Sequence, residues 1–204
     1  MQKTTGSSKE TRISQSIRVF ISINLPPALE IVLQAQIKAL RDMLPSGAVR
    51  WVNPGGIHLT LKFPGYVPVN QLDSVKAATR QAVQGCSPFE LRVMEAGCFP
   101  NYKRPKVIWI GLKGAEASLQ ALRGSVENHI APLGYPTETR PFHPHLTLGR
   151  VKTQNSREMM SIGQVIRETE IGEIGKLTCD AVHVMQSTLT PSGAQYQSLA
   201  SYAF

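Results

Sequence analysis

Two stretches of the chain repeat one alternation of polar and apolar residues, His58-Leu59-Thr60-Leu61 and His145-Leu146-Thr147-Leu148. A period of two is that of a half-buried strand, so His and Thr share one face while the leucines point to the other, into a core. At this chain's composition, such a match is expected by chance roughly 0.05 times per chain, and two matches on the order of a thousandth. Apolar, β-branched residues 17–23 predict a buried strand. Pro26 and Pro27 then open a helix over residues 28–44, with Leu29, Leu33, Ile37, Leu40 and Leu44 at helical spacing, and Pro45 and Gly47 stop it.

The same reading continues along the chain. Residues 49–52 form a short strand, Asn53-Pro54-Gly55-Gly56 a turn, and residues 57–63 the first motif strand, ended by Pro64-Gly65. A helix follows over 69–83, then strands over 89–96 and 106–112 joined by a basic loop from Phe99 to Pro105, and an amphipathic helix over 115–130. The second motif strand, 145–151, precedes a helix over 156–169. Strands over 176–187 and 195–204, joined around Pro191-Ser192-Gly193, close the chain. Strands and helices mixed with short hairpins predict an α+β fold with mainly antiparallel sheets. The motif strands lie 87 residues apart, which fits an internal duplication: two lobes, each presenting one His-x-Thr strand to a shared cleft. Residues 1–16 read as a flexible N-terminal tail and 17–204 as a single two-lobed domain, since no linker divides them.

Composition narrows the function. The 204 residues are 42% apolar and 18% charged, ordinary globular material long enough to bury a core. Twenty-two basic against 14 acidic residues give a net charge of +8, which suits a polyanionic partner such as nucleic acid. Three scattered cysteines, Cys86, Cys98 and Cys179, with no CxxC pair, argue for a reducing compartment and against a disulfide scaffold. No apolar run approaches the roughly 18 residues of a membrane span, and the cytoplasm is the expected location.

Two imidazoles and two hydroxyls facing one cleft suit phosphoryl transfer. With an ordinary pKa of about 6.5, one His can be neutral and activate water while the other, protonated, supplies the leaving oxygen with a proton. Thr60 and Thr147 can hydrogen-bond the non-bridging phosphate oxygens. His129 and His183 have no such echo and read as structural. The chemical rival is a zinc site of His58, His143 and His145, but the motif strands offer no carboxylate and Pro144 interrupts the strand between its last two members. The basic loop, with Tyr102 among cations, would serve either as a single-strand RNA contact or as a solvated hairpin loop.

The paired His-Leu-Thr-Leu, with Phe142-His143-Pro144 leading the second copy and Gly149-Arg150 following it, resembles the 2H phosphoesterase superfamily. Within it the likeness is to the bacterial-type RNA 2′,3′-cyclic phosphodiesterases, also called 2′-5′ RNA ligases. Arg18-Val19-Phe20-Ile21 with Leu25-Pro26, Arg50-Trp51-Val52 with Pro54, and Gly97-Cys98-Phe99-Pro100 with Val107-Ile108-Trp109 extend it from Arg18 to the C-terminus. The resemblance implies a bilobal α+β fold with two sheets around a V-shaped cleft, and no metal or cofactor. It also implies hydrolysis of RNA 2′,3′-cyclic phosphate ends to 2′-phosphates, with a weak reverse 2′,5′-joining activity. On it, His58 and His145 are the catalytic pair, with His145 as base and His58 as acid, and Thr60 and Thr147 hold the phosphate. Arg150 would join them, but strict alternation puts it on the leucine face unless the strand bulges at Gly149. His143, Phe142 and Tyr102 are candidate RNA contacts. Two positions depart from the family pattern: Gly55-Gly56 stands where Glu-Asn is common, and Pro64-Gly65-Tyr66 where Leu-Gly and an acid are common. The expected partner is RNA with a cyclic phosphate end or a 2′,5′ linkage, bound by a monomer with no obligate protein partner. The alternative is a non-catalytic RNA-binding protein that retains the cleft.

Overall fold

The computed structural model describes residues 15–191 and 193–204; the expected tail at 1–16 lies almost wholly outside them. Nine strands and four α-helices are found among the described residues. The strands are β1 (Ser16–Asn24), β2 (Val49–Trp51), β3 (His58–Pro68), β4 (Phe89–Phe99), β5 (Val107–Lys113), β6 (His145–Val151), β7 (Gly175–Cys179), β8 (Ala181–Thr190) and β9 (Gly193–Ala203). The helices are α1 (Pro27–Met43), α2 (Leu72–Ala82), α3 (Glu116–Ile130) and α4 (Ser156–Glu168). Pro at the first turn of α1 costs no hydrogen bond there, and its buried stripe is Leu29, Leu33, Ile37 and Leu40, as the spacing predicts.

The strands run in the order β7-β4-β5-β6-β3-β1-β8-β9, with β2 also paired to β6. The α+β class and antiparallel pairing are borne out. The two expected sheets are present as two halves, but they are continuous: β3 and β6, the two motif strands, pair at a single position, Leu59 opposite Leu146. One half holds β4, β5, β6, β7 and β2 with α1 and α4; the other holds β1, β3, β8 and β9 with α2 and α3. The chain passes repeatedly between them, so neither half is a contiguous stretch of sequence.

Several boundaries differ from the sequence reading, among them the end of β4, which runs to Phe99 rather than stopping at residue 96 and so takes the first residue of the expected basic loop into the strand. The single strand expected over 176–187 is two, β7 pairing with β4 in one half and β8 with β1 in the other, divided at Asp180. Alternation of exposed and buried positions runs unbroken from Lys176 to Val184, so periodicity carries no sign of the break. The first motif strand continues through Pro64-Gly65 to Pro68 rather than ending there. Proline is tolerated because the register between β1 and β3 slips at this point, Val19 opposing Gly65 and Ile21 opposing Lys62.

Each motif strand carries a bulge after its second leucine. In β3, Thr60 opposes Ser22 of β1 and Lys62 opposes Ile21, leaving Leu61 extra. In β6, Thr147 opposes Trp109 of β5 and Gly149 opposes Ile108, leaving Leu148 extra. Both strands therefore bury two consecutive residues and expose the next: Leu61-Lys62 then Phe63, and Leu148-Gly149 then Arg150. The two buried second positions are filled differently. Strand β2 crosses Gly149 so closely that an added Cβ would lie 2.7 Å from Val49. In the other half Lys62, 5% exposed, pairs with Glu127 of α3 and donates to the Pro136 carbonyl at 2.8 Å. Glu127 also pairs with Arg123, whose guanidinium stacks 4.7 Å over the Phe142 ring. Helix α3 thus ties β3 to the segment that leads into β6.

Removing one member of a buried ion pair leaves a charge without compensation, a loss of ~3–5 kcal/mol. Glu127→Ala should lower the unfolding free energy by that amount in urea denaturation. The double replacement Lys62→Met with Glu127→Leu should recover most of it.

Candidate active site

Antiparallel pairing of Leu59 with Leu146 sets the register of the motif residues around it. His58 lies across from Thr147, and Thr60 across from His145, in a near two-fold arrangement. All four side chains are half-buried on the face opposite Leu59, Leu61, Leu146 and Leu148, which sit in the core at 3% exposure or less. In that register the imidazoles occupy diagonal positions, near enough for the charge of His145 to lower the proton affinity of His58.

Each imidazole is held by a backbone carbonyl two residues earlier. His58 Nδ1 lies 2.9 Å from the Gly56 oxygen and His145 Nδ1 lies 2.6 Å from the His143 oxygen. A carbonyl only accepts, so Nδ1 carries the proton in both rings, and in the neutral form Nε2 is left as the basic atom. The rings are also walled by aromatics. Phe20 stacks on His58 with centroids 4.4 Å apart, and Tyr196 meets it edge-on at 5.2 Å. Phe99 meets His145 edge-on at 4.9 Å, with Trp109 behind at 6.3 Å. Gly97 permits this wall, since a Cβ there would fall 2.2 Å from the Trp109 ring. Gly56 plays the same part opposite: a Cβ would lie 3.1 Å from Tyr196, so glycine at this departure from the family pattern lets the ring pack beside His58.

This enclosure sets the electrostatics. Burial pushes His58 down to about 4; the Gly56 carbonyl opposes the shift and the nearby His145 charge adds to it. Burial also lowers His145, against the pull of the His143 carbonyl and with the charges of His143 and Arg150 adding. Arg150 owes its place near His145 to the bulge at Leu148-Gly149: it opposes Val107, on the same face of β5 as Trp109, and so shares the His145 side of the strand. The condition that the sequence left open is met.

The remaining expected site residues fall in different places. His143 is exposed just before β6, contributing its carbonyl to His145 and its ring to a tilted contact with Phe99. Phe142 is half-buried, one face against Arg123. Tyr102 sits on the β4–β5 loop, 38% exposed, with its backbone pressed against Gly163 of α4; no ring contact joins it to either motif histidine among the described residues. The rival three-histidine set is not assembled: no group of three or more His, Cys, Asp or Glu side chains suited to a metal ion occurs among the described residues. The sequence reading missed the aromatic walls as site residues. Phe20 and Trp109 lie in strands whose apolar residues face both sides, so alternation gives no reason to separate them from the core; Phe99 falls in the expected basic loop, whereas β4 runs through it, and Tyr196 lies over one hundred residues from its partner.

The two His-x-Thr strands thus meet at the centre of one continuous antiparallel sheet. Residues 29–190 match the 2′-5′ RNA ligase superfamily, and the chain belongs to it. The RNA 2′,3′-cyclic phosphodiesterase of Methanothermobacter thermautotrophicus is 31% identical over 185 residues, spanning 90% of this chain and 96% of the relative. That of Aeropyrum pernix is 30% identical over 166 residues, spanning 80% and 92%. The crystal structure of E. coli LigT in apo form superposes with a TM-score of 0.74 at 23% identity, covering 93% of this chain and 98% of that one. The family resemblance read from the motifs is thereby borne out.

NMR titration of the imidazole resonances should find His58 taking up a proton only near pH 4, well below the ordinary 6.5. The sign for stability follows. Above pH 6.5 the ring is neutral whether folded or unfolded; as pH falls from 6.5 towards 4 only the unfolded chain binds the proton, so the fold loses stability across that window.

Proposed function

We propose that this protein hydrolyses RNA 2′,3′-cyclic phosphate ends to 2′-phosphates, using His58 and His145 as an acid–base pair without a metal. The observation that carries the reading is the matched presentation of the two rings on paired strands, each anchored at Nδ1 by a backbone carbonyl two residues earlier, which leaves Nε2 as the basic atom of the neutral ring. The names of the full-length relatives support the same reaction, and a net charge of +8 suits an RNA partner. No helix among the described residues is long and apolar enough to cross a membrane. Three free cysteines, two of them buried, fit an enzyme of a reducing compartment such as the cytoplasm.

In this mechanism the cyclic phosphate sits between the imidazoles. Thr60 and Thr147 donate hydroxyl hydrogen bonds to its non-bridging oxygens, and Arg150 offsets the charge that grows there in the transition state. One Nε2 takes a proton as water attacks phosphorus. The bond to the 3′ oxygen breaks, and the protonated Nε2 of the other ring supplies that oxygen with a proton. The products are a 2′-phosphomonoester and a free 3′ hydroxyl, with the two histidines' protonation states exchanged. With the 5′ hydroxyl of a second RNA in place of water as the nucleophile, the same forward ring opening would join the ends by a 2′,5′ linkage and leave a free 3′ hydroxyl, and its reverse would cleave that linkage.

The family resemblance implies His145 as base and His58 as acid. The setting of His58 favours the reverse division in the free protein, because its deeper depression keeps it neutral while His145 protonates more readily. Either division gives a bell-shaped dependence of kcat/KM on pH, with a rise near pH 4 and a fall below pH 6.5.

Incubation with a short RNA ending in a 2′,3′-cyclic phosphate, in excess EDTA, should yield a 2′-phosphate terminus. His58→Ala and His145→Ala should each lower kcat by at least ~100-fold with circular dichroism unchanged. Full activity in either variant would sink the mechanism. Salt-sensitive RNA binding without turnover, with or without added zinc, would instead favour the non-catalytic RNA-binding reading.

A further inference from the structure

The face that carries His145 does not end at the catalytic strand. On β5, Trp109 opposes Thr147 and Gly111 opposes His145, so Trp109, Gly111 and then Lys113 extend the same face away from the phosphate position. These three line a pocket of about 310 Å³ together with Glu95, with Gln120 of α3, and with Phe142 and His143 from the segment before β6. At its rim Glu95 pairs with Lys113 at 3.3 Å. Glu95 is the extra residue of a bulge in β4, and its backbone is held at φ 63°, a left-handed conformation unusual for a residue other than glycine.

We propose that this pocket receives the base of the nucleotide that bears the cyclic phosphate. The proposal rests on the phosphodiesterase reading above. Its volume is at the small end of ligand sites, which run from roughly 300 to 1,000 Å³, and suits one heterocycle rather than a stretch of RNA. The walls are chemically matched to a base: Trp109 and Phe142 offer aromatic surface for its faces, and Leu119 adds an apolar side. The rim is matched to its edge, since the Glu95 carboxylate accepts, the Lys113 ammonium donates and the Gln120 amide does both. Position completes the argument. Trp109 lies 6.3 Å, ring to ring, from His145, so a phosphate held at the imidazoles brings its own ribose to the pocket mouth rather than that of the next nucleotide. The Arg123 guanidinium against the ring of Phe142 holds this aromatic in place when the pocket is empty.

The test compares kcat/KM for adenosine 2′,3′-cyclic phosphate with that for 1-O-methylribose 2,3-cyclic phosphate, which has the same reacting ring but no base. Wild-type protein should prefer the nucleoside by at least tenfold. Gln120→Trp, made at an exposed position of α3 so that the indole fills the pocket, should bring that ratio to within about twofold of one, chiefly by raising KM for the nucleoside. Continued turnover of the base-free ester reports that the variant is folded. A wild-type ratio near one, or a ratio that Gln120→Trp leaves unchanged, overturns the pocket. Failure of the wild-type protein to hydrolyse either ester overturns the phosphodiesterase reading itself, and the pocket's part in turnover with it.

Discussion

The pairing of one leucine with another, Leu59 with Leu146, is the constraint on which the site depends. Because the strands are antiparallel and side chains alternate, seating these two residues in the core fixes the histidine and threonine of each strand on the opposite face, each imidazole across from the other strand's hydroxyl. A slip of one residue in either strand would turn its polar pair into the core. Burial of the four motif leucines opposes that slip, so hydrophobic packing on one face is what assembles the chemistry on the other.

The bulge after each motif adds a second consequence of strand geometry. It reverses the alternation by one residue, turning Arg150 to the His145 side in one half and exposing Phe63 in the other. The cost appears behind the sheet, where the shifted residue must be buried. One half meets it with Gly149 under the crossing strand β2. The other meets it with Lys62, neutralised by Glu127 and thereby coupled through Arg123 to the segment that carries His143. A near two-fold arrangement at the site is thus supported by two unrelated solutions beneath it.

The environment of the imidazoles is made by long-range contacts. Phe20 and Tyr196 enclose one, Phe99 and Trp109 the other, and burial, to which these rings contribute, is the largest cause of the lowered proton affinity at both.

Much of the site was legible in the sequence because its signal is local. Period-two alternation identifies a half-buried strand from four residues, and its recurrence picked out His58, Thr60, His145 and Thr147 without any knowledge of how the strands meet. The helices were legible for the same reason, through the stripe that α1 buries and the prolines and glycines that bound it. What alternation could not reveal was anything that depends on which strand lies beside which. The break at Asp180 leaves the in–out pattern intact, so the passage of the chain from one half of the sheet to the other left no mark on it. The side of the strand that Arg150 takes depends on its register against β5, and the burial of Lys62 on a helix 65 residues further on. Local polarity determined the candidate set of two histidines and two threonines; the registers and packing of distant strands decided its orientation, its aromatic enclosure and its charge.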